Sequence, residues 1–358
     1  MRVNVCLHSY LLGCFVAVVV VVLIVQNRLL MITRLFSSIR VETARESTMF
    51  GNQSSWSNAS TSRRHLDVSR YVVFSAHIRD SRGLGNQLFI FAMAVYAAKL
   101  SSRRPAIQTS SATIGLDEVF RLDGIERHVD LCPCHHFQEA RALAYDRRIE
   151  NVARAGNAEI WNASIFLVGY FQSWKYHRSV DAQLRHYFTF IPDIQRFVDA
   201  FCAQIVPAKW RNERFVRVGV HVRRGDVVSS YLARYGYSTP NATYFRNAMQ
   251  YFVERHDRVQ FVVCSNDWAW TRQNIAPEFF NRSNVNVTHV VGRSRAQDFA
   301  ILARCDHVII STGTFGWWAA WMARGTTVFY KNWPAVNSTL YRMFTFQEYF
   351  PPYWIPME

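Results

Sequence analysis

The second half of the chain alternates short apolar runs with longer segments of helical periodicity. Five runs rich in β-branched and aromatic residues, each bounded by turn residues or charges, predict buried strands. The segments between them predict helices at 244–255, 297–304 and 315–323. Strands that alternate with helices are typical of a parallel α/β sheet with right-handed crossovers. The five predicted strands span residues 215–222, 259–265, 285–291, 307–311 and 326–330.

The first half shows the same alternation less regularly. A strand is predicted at 71–77 and another at 165–170, with a Gly-rich turn at 82–87 and an apolar helix at 88–100. A further helix is predicted at 194–205. The chain therefore divides near residues 190–210 into two α/β halves, 66–205 and 206–358, which we expect to form a doubly wound pair with a cleft between them.

The amino terminus has a different pattern. Residues 11–25 contain no charged or strongly polar side chain, and extension back to Cys6 brings the run to the ~20 residues that cross a bilayer as a helix. A cleaved signal peptide is the alternative. It is disfavoured because Gln26, Asn27 and Arg28 follow the run where small residues would be needed. We predict a tail at 1–10, a signal anchor at 11–25 and a polar stalk at 26–65.

Glycosylation acceptors indicate the orientation of this anchor. The pattern Asn-x-Ser/Thr occurs seven times, always carboxy-terminal to the apolar segment. One such pattern is a weak signal, but seven favour a lumenal domain and hence a single-pass type II topology. The seven are Asn52, Asn58, Asn162, Asn241, Asn281, Asn286 and Asn337.

Composition and charge narrow the functional classes. A chain of 358 residues with 50% hydrophobic content is too apolar for disorder. The net charge of +15 favours anionic partners, but no run of five basic residues is present, so a generally basic surface is preferred over nucleic-acid binding. Five cysteines follow the anchor, and an odd number in an oxidising compartment implies one free or intermolecular thiol. None has a reliable metal-ligand spacing; they are Cys132, Cys134, Cys202, Cys264 and Cys305.

The most basic motif follows directly on a predicted strand. Residues 218–226 read VGVHVRRGD, with His221, Arg223, Arg224 and Asp226 after the apolar positions. Ligands of open α/β sheets bind beyond the carboxyl ends of strands, and two guanidinium groups there would neutralise a pyrophosphate. The alternative is surface charge at a strand end.

Two further motifs lie between a strand and a helix. Residues 83–87 (GLGNQ) match no complete phosphate-binding fingerprint, so the glycines either supply positive φ in a tight turn with Asn86 as the helix cap, or Asn86 faces a substrate. Residues 311–318 (STGTFGWW) open a predicted helix whose N–H groups suit an anion. Asp298, near another helix start, either favours the helix dipole or accepts hydrogen bonds from a ligand. Trp317, Trp318 and Trp321 favour packing over sugar stacking.

Taken in order, these segments resemble the α-1,2-fucosyltransferases of glycosyltransferase family 11. The likeness runs from about residue 71 to residue 352, and several long matches in the same order make it specific. It rests on GLGNQ, VGVHVRRGD, FVVCSND-AW at 261–270, QDFAIL-RCDHVIISTGTFGWWAAW at 297–321 and YFPPYW at 349–354.

The resemblance implies a GT-B fold, in which two Rossmann-like domains face each other across a cleft, preceded here by the membrane helix. It implies GDP-fucose as the donor, transfer with inversion and no required metal or other cofactor. Arg223 and Arg224 would bind the pyrophosphate, His221 and Asp298 the guanosine, and Asn86 would face the reacting centre beside Gly85. Asp226 is either a general base or a salt-bridge partner of the arginines. The phosphates would be enclosed by Ser311, Thr312, Gly313, Thr314 and Phe315.

The family resemblance also implies an acceptor and a location. The acceptor would be the 2-hydroxyl of a terminal β-galactoside on glycoproteins or glycolipids, bound on the side of residues 66–205, and the protein would lie in the Golgi membrane. Val227 replaces the family's usual aromatic residue, and Trp321 also departs from its pattern, which affects the acceptor side most. Another fucosyltransferase, protein O- or α-1,6-type, and a non-catalytic sugar-nucleotide-binding protein remain alternatives. Association with a second copy is left open.

Overall fold

The computed structural model describes residues 71–75, 83–108, 115–128, 134–154, 163–275, 277–279 and 282–358. The predicted tail, anchor and stalk lie outside these residues. Within them, two parallel sheets with flanking helices belong to one unit, Leu66–Glu358, and confirm the predicted α/β class. The predicted boundary at 205/206 falls between the two sheets.

The first sheet is built from five parallel strands in the order β3-β2-β1-β5-β4. Its central strand β1 is buried because both of its faces are covered by other elements, as is usual in parallel sheets. The strands are β1 (Tyr71–Ser75), β2 (Arg104–Gln108), β3 (Glu126–His128), β4 (Cys134–Gln138) and β5 (Ser164–Val168).

The second sheet has six parallel strands in the order β11-β10-β9-β6-β7-β8. When β6 is counted as the first strand of this half, the order is that of the doubly wound dinucleotide-binding fold. In that fold the chain adds strands first on one side of the first strand and then, from the fourth strand on, on the other side. Here those strands are β6 and β9. The strands are β6 (Val216–Val222), β7 (Val259–Ser265), β8 (Val285–His289), β9 (His307–Ile310), β10 (Thr327–Tyr330) and β11 (Ile355–Met357).

Eleven α-helices lie in the described residues. Most are amphipathic or short, but the first is buried almost all round, which is the pattern of a helix in the centre of a core. They are α1 (Leu84–Leu100), α2 (Arg148–Arg154), α3 (Asp181–Tyr187), α4 (Pro192–Gln204), α5 (Ser230–Tyr235), α6 (Ala242–Val253), α7 (Trp268–Asn274), α8 (Arg295–Ala303), α9 (Thr314–Ala323), α10 (Thr339–Met343) and α11 (Phe346–Tyr349).

One apolar core joins the two halves of the chain. It contains α1 from the first half and α9 from the second, so neither half encloses its own interior completely. The ring of Phe89 lies 4.8 Å from that of Trp317 and 5.0 Å from that of Trp318, and both tryptophans are fully buried. Trp321 is also buried, with the Arg185 guanidinium 4.1 Å from its ring. The packing interpretation of these tryptophans is therefore confirmed.

Several elements differ from the sequence prediction. Helix α1 begins four residues earlier than expected, so GLGNQ is its cap and first turn rather than a preceding loop. The helix cap is Gly83, with φ −75° and no side-chain cap, and Asn86 lies in the third helical position. Neither Gly83 nor Gly85 has positive φ. The expected positive φ of the glycines and the expected capping role of Asn86 were therefore wrong, and Gly85 instead permits close packing, as described below.

The predicted cysteine and glycosylation positions are partly described. Cys202, Cys264 and Cys305 are buried thiols, Cys134 is half-buried in β4, and Cys132 lies outside the described residues. Asn241 and Asn337 are exposed, whereas Asn286 is half-buried in the edge strand β8. The other sequon residues, Asn52, Asn58, Asn162 and Asn281, are not among those described.

None of the helices in the described ranges combines the length and apolarity that a membrane crossing requires.

Candidate active site

A cleft of about 720 Å³ opens between the two sheets at the carboxyl ends of their strands. It lies against β6 and β9, where the strand order of the second sheet reverses, which is where open α/β sheets bind ligands. The first half contributes the start of α1 and the segment after β5 to its lining. The cleft predicted from the sequence is therefore present.

Arg223 lies at the centre of this cleft, immediately after β6. Its Nε and Nη2 donate to the two carboxylate oxygens of Asp226 at 3.1 and 2.5 Å, and its backbone N–H donates to Ser311 Oγ at 2.9 Å. The guanidinium passes so closely over Gly313 that a Cβ there would lie 2.3 Å from Nη1. Gly313 also has φ +95°, so a side chain at this position would strain the backbone as well as clash with Arg223.

Arg224 is directed elsewhere and does not line the described cleft. Its guanidinium lies 3.9 Å from the centre of the Trp270 ring, and Nε is 3.6 Å from Asp267 Oδ2. Its backbone N–H and that of Gly225 both donate to Asn266 Oδ1, which fixes the turn. Because adjacent residues in an extended segment point to opposite sides, the two arginines do not converge as the sequence led us to expect.

Asp226 forms a salt bridge rather than standing free as a base. Both oxygens are engaged by Arg223, and Asn266 Nδ2 donates to Oδ1 at 3.2 Å. The hydrogen bonds from Arg223 hold the pKa of this carboxyl below its usual value. Of the two interpretations left open by the sequence, the geometry favours orientation of Arg223.

His221 is a buried, neutral residue of the cleft wall. Burial lowers its pKa to about 3, so the imidazole carries no charge at neutral pH. Nδ1 is 3.2 Å from Ser311 Oγ, and the ring lies 5.5 Å from that of Phe315. Ser311 and Thr312 are themselves buried behind the lining, so of the STGTF motif only Gly313, Thr314 and Phe315 reach the cleft.

Asp298 lies at the polar end of the cleft, near the residues that follow β7 and β8. It is the fourth residue of α8, which begins with a capping box between Ser294 and Gln297. Oδ1 of Asp298 is buried and has no hydrogen-bond partner among the described residues, and burial raises the pKa of this carboxyl to about 6. Because Asp298 lines the cleft, its carboxylate is suited to accept N–H groups of a ligand.

Asn86 connects the two halves at the floor of the cleft. Its Oδ1 accepts from Gln172 Nε2 at 3.0 Å and from Thr314 Oγ1 at 2.9 Å. Close by, a Cβ on Gly85 would lie 2.4 Å from the carbonyl carbon of Thr314. Helices α1 and α9 therefore begin side by side, and their N-terminal N–H groups favour negative charge in the cleft.

Glu139 supports the segment that brings Gln172 to this floor. It is buried after β4, and its two carboxyl oxygens accept from the backbone N–H groups of Tyr170 and Phe171, both at 2.7 Å. Phe171 has φ +53°, and Gly169, with φ +150°, leaves room for the Glu139 side chain. Glu139 is thus a positioning residue for the cleft wall that the sequence analysis missed.

Replacing Glu139 by glutamine is expected to destabilise the fold by about 2 kcal/mol, because the new amide NH₂ faces a backbone N–H donor. Burial raises the pKa of Glu139 to about 8, against 4.5 in the unfolded chain. Between these values the folded chain binds a proton that the unfolded chain releases. The free energy of unfolding therefore decreases as pH rises. The unfolding temperature should therefore fall less steeply between pH 6.5 and 8 in Glu139→Gln than in the natural protein.

The matched control is Glu254→Gln, whose side chain is on the surface. It should keep both the unfolding temperature and its pH dependence. The histidines are the same in both proteins, so their titration cancels when the two pH dependences are compared. A Glu139→Gln protein as stable and as pH-sensitive as the natural one would contradict the assigned role.

The structure also brings to the cleft several residues that no motif indicated. Gln172 follows β5, Trp333 follows β10, and Tyr237 follows α5. The first two are placed by the same rule that identified Arg223, since each comes shortly after the carboxyl end of a parallel strand. No cluster of three or more metal-ligating side chains occurs in the described part of the chain.

Comparisons with known proteins identify the family of this chain. The sequence model of glycosyl transferase family 11 matches residues 51–358. The galactoside alpha-(1,2)-fucosyltransferase 1 of Plecturocebus brunneus is 30% identical over 76% of this chain and 71% of its own length. The human galactoside alpha-(1,2)-fucosyltransferase 1 is 29% identical over 76% of this chain and 72% of its own. A solved structure of a variant of Arabidopsis thaliana FUT1 in complex with GDP covers 73% of this chain and 70% of its own, with 12% identity and a TM-score of 0.46. The chain therefore belongs to glycosyl transferase family 11, and the two galactoside fucosyltransferases are its relatives.

Proposed function

We propose that this protein transfers L-fucose, with inversion, from GDP-fucose to the 2-hydroxyl of a terminal β-galactoside on glycoproteins or glycolipids. The observation that supports this most directly is Arg223, held by Asp226 at the strand-order reversal of a family 11 chain. The relatives named galactoside alpha-(1,2)-fucosyltransferase support the donor sugar and the linkage.

The leaving group is the step that the cleft supports best. Departure of GDP concentrates negative charge on the β-phosphate, and a preorganised guanidinium stabilises such charge without reorganising at the moment of reaction. Arg223 supplies that group, while Asp226 holds it in place and the adjoining starts of α1 and α9 add their N–H dipoles. In this proposal no metal ion is required for the reaction.

The base of the nucleotide would occupy the polar end of the cleft. Guanine presents two adjacent N–H donors on one edge, and the carboxylate of Asp298 would accept them and satisfy its unpartnered Oδ1. His221 and Phe315 provide a neutral wall next to this position. Asn86 would donate to the donor sugar or to the incoming hydroxyl at the floor.

The acceptor hydroxyl needs little help from a strong base in this scheme. Of the described residues that line the cleft, the carboxylates are Asp226 and Asp298, and both already have the roles given above. A loose, oxocarbenium-like transition state places most of its charge on the leaving group and the sugar ring. Deprotonation of the acceptor then follows bond breaking to GDP rather than driving it, and the proton passes to water in the open cleft.

The assay that tests this function uses the full-length protein in detergent with labelled GDP-fucose. We expect transfer to a terminal β-galactoside and none to the matched 2-deoxy derivative, which lacks only the accepting hydroxyl. Linkage analysis of the product should give α-1,2. Label incorporated into protein, or an α-1,6 product, would favour the other fucosyltransferase classes, and binding of GDP without turnover on any acceptor would favour a non-catalytic protein.

The location is proposed from the amino terminus and the sequons together. An apolar segment at 11–25 followed by seven glycosylation acceptors is the arrangement of a type II Golgi membrane protein with a lumenal catalytic domain. Asn241 and Asn337 are exposed enough to accept a glycan.

A further inference from the structure

The cleft has two chemically different ends, and the strand order separates them. Arg223 and Gly313 follow the neighbouring strands β6 and β9 and so mark the centre. Asn266 and Arg293 follow β7 and β8 on one side of this centre. Trp333 follows β10 on the other side. The polar residues, with Asp298, thus lie at one end, and a ligand that extends past Arg223 in the other direction meets a different lining.

This second end is formed by aromatic and aliphatic side chains. Tyr235 and Tyr237 come from the end of α5 and the residues after it, and Leu340 and Met343 come from α10. Tyr235, Tyr237 and Met343 are half-buried, so part of each side chain faces the cleft. The Tyr237 ring links this wall to the centre, since the Arg223 guanidinium lies 5.6 Å from it.

Two hydrogen-bond donors in this wall have no partner. Trp333 is 4% exposed and Tyr349 is 1% exposed, both line the cleft, and their rings are 5.2 Å apart. Trp333 Nε1 and the Tyr349 hydroxyl make no hydrogen bond within the described part of the chain. Buried donors normally have partners, and both side chains line the cleft, so a small rotation of either ring would bring its donor to an acceptor oxygen of a ligand.

We propose that this aromatic end is the acceptor subsite and that its ligand is a neutral pyranose. A sugar ring has an apolar C–H face that packs on aromatic side chains and hydroxyl groups at its edge that accept hydrogen bonds. Tyr235, Tyr237 and Met343 provide the packing surface, and Trp333 Nε1 and the Tyr349 hydroxyl provide the donors. The described lining beyond Arg223 has no charged side chain, which favours a neutral sugar over a phosphate.

This inference rests on the proposed function, because only a nucleotide at the polar end leaves the aromatic end to the acceptor. It also changes an expectation. The sequence placed the acceptor side in residues 66–205, whereas Tyr235, Tyr237, Trp333, Leu340, Met343 and Tyr349 all belong to 206–358. The first half contributes Ala142 and Leu143 to this end.

The test is a pair of opposite changes in Michaelis constants, measured on the full-length protein. Tyr235→Ala and Met343→Ala should each raise KM for the β-galactoside at least tenfold while KM for GDP-fucose stays within twofold. Asp298→Asn should do the reverse, because its carboxylate lies at the polar end. Tyr231→Ala is the matched control: this tyrosine is on α5 with Tyr235, but it is 69% exposed and does not line the cleft, so neither constant should change.

The outcomes distinguish the inference from the function on which it rests. No transfer by the natural protein to any galactoside defeats the proposed function itself. Normal transfer with an unchanged galactoside KM in both variants, or with an equal rise in KM for GDP-fucose, overturns the acceptor subsite and leaves the function intact. If Tyr235→Ala unfolds, as seen by circular dichroism, Tyr235→Leu keeps the apolar volume without the ring and should show the same selective rise in galactoside KM.

Discussion

Replacing Arg223 by alanine is expected to lower kcat/KM for fucose transfer at least about 100-fold, which corresponds to about 3 kcal/mol of transition-state stabilisation. Arg223 is the arginine at the centre of the described cleft, and it is already oriented by two hydrogen bonds from its side chain to Asp226. The loss should fall mainly on kcat, because the charge that it balances grows as GDP departs.

Arg223→Lys should recover only part of this loss. A lysine keeps the charge but cannot form the two parallel hydrogen bonds to Asp226, so the ammonium group is not held over Gly313. Steady-state kinetics with both substrates varied, together with GDP binding by calorimetry, separates the effect on turnover from the effect on nucleotide affinity.

Arg224→Ala is the internal control for this prediction. The sequence suggested that the two arginines act together, but Arg224 stacks on Trp270 and pairs with Asp267 away from the described lining. We therefore expect a loss of less than about tenfold, caused by a loosened turn. An Arg224→Ala protein as inactive as Arg223→Ala, or an Arg223→Ala protein with normal turnover, would show that the structural assignment is wrong.

The central part of this site was predictable because it follows local rules. Strand β6 is rich in valine and β9 is apolar after His307, and the residues after both strands carry the motifs, so both the sheet and its ligand edge could be inferred from the sequence. The outer strands of the first sheet were missed for the corresponding reason. β4 reads CHHFQ and is mostly exposed or half-buried, so its apolar pattern is weak.

The walls of the site could not be predicted from local pattern, because their partners are distant in sequence. Gln172 is useful only when Asn86, 86 positions earlier, is next to it. Trp333 and Tyr349 are ordinary core aromatics by sequence, and their unpaired donors become apparent only when the cleft is seen beside them. The opposite error occurred at Arg224. Its motif predicted a cleft residue, but its side chain lies on Trp270 and does not line the cleft.

Gly85→Ala is expected to destabilise the protein by about 3 kcal/mol and to abolish most transfer activity. A Cβ at this position would lie 2.4 Å from the carbonyl carbon of Thr314 and 2.6 Å from the backbone nitrogen of Phe315. Backbone atoms cannot rotate away as a flexible side chain can, so α1 and α9 would have to separate. That shift would also break the hydrogen bond from Thr314 to Asn86 and move Gly313 relative to Arg223.

Helix propensity alone predicts that Gly85→Ala stabilises the protein, so the sign of the change in stability decides between the two expectations. In an unhindered helix, alanine is more favourable than glycine by about 1 kcal/mol, so an open position 85 would give a more stable protein. Gly83→Ala is the matched control from the same turn, since its φ of −75° suits alanine and no atom lies within 4 Å of the added Cβ. It should change stability by no more than about 1 kcal/mol, the scale of a helix-cap substitution. Thermal unfolding of the two variants side by side then measures the contact between α1 and α9, and a Gly85→Ala protein more stable than the natural one would mean that the two helices do not meet at the floor of the cleft.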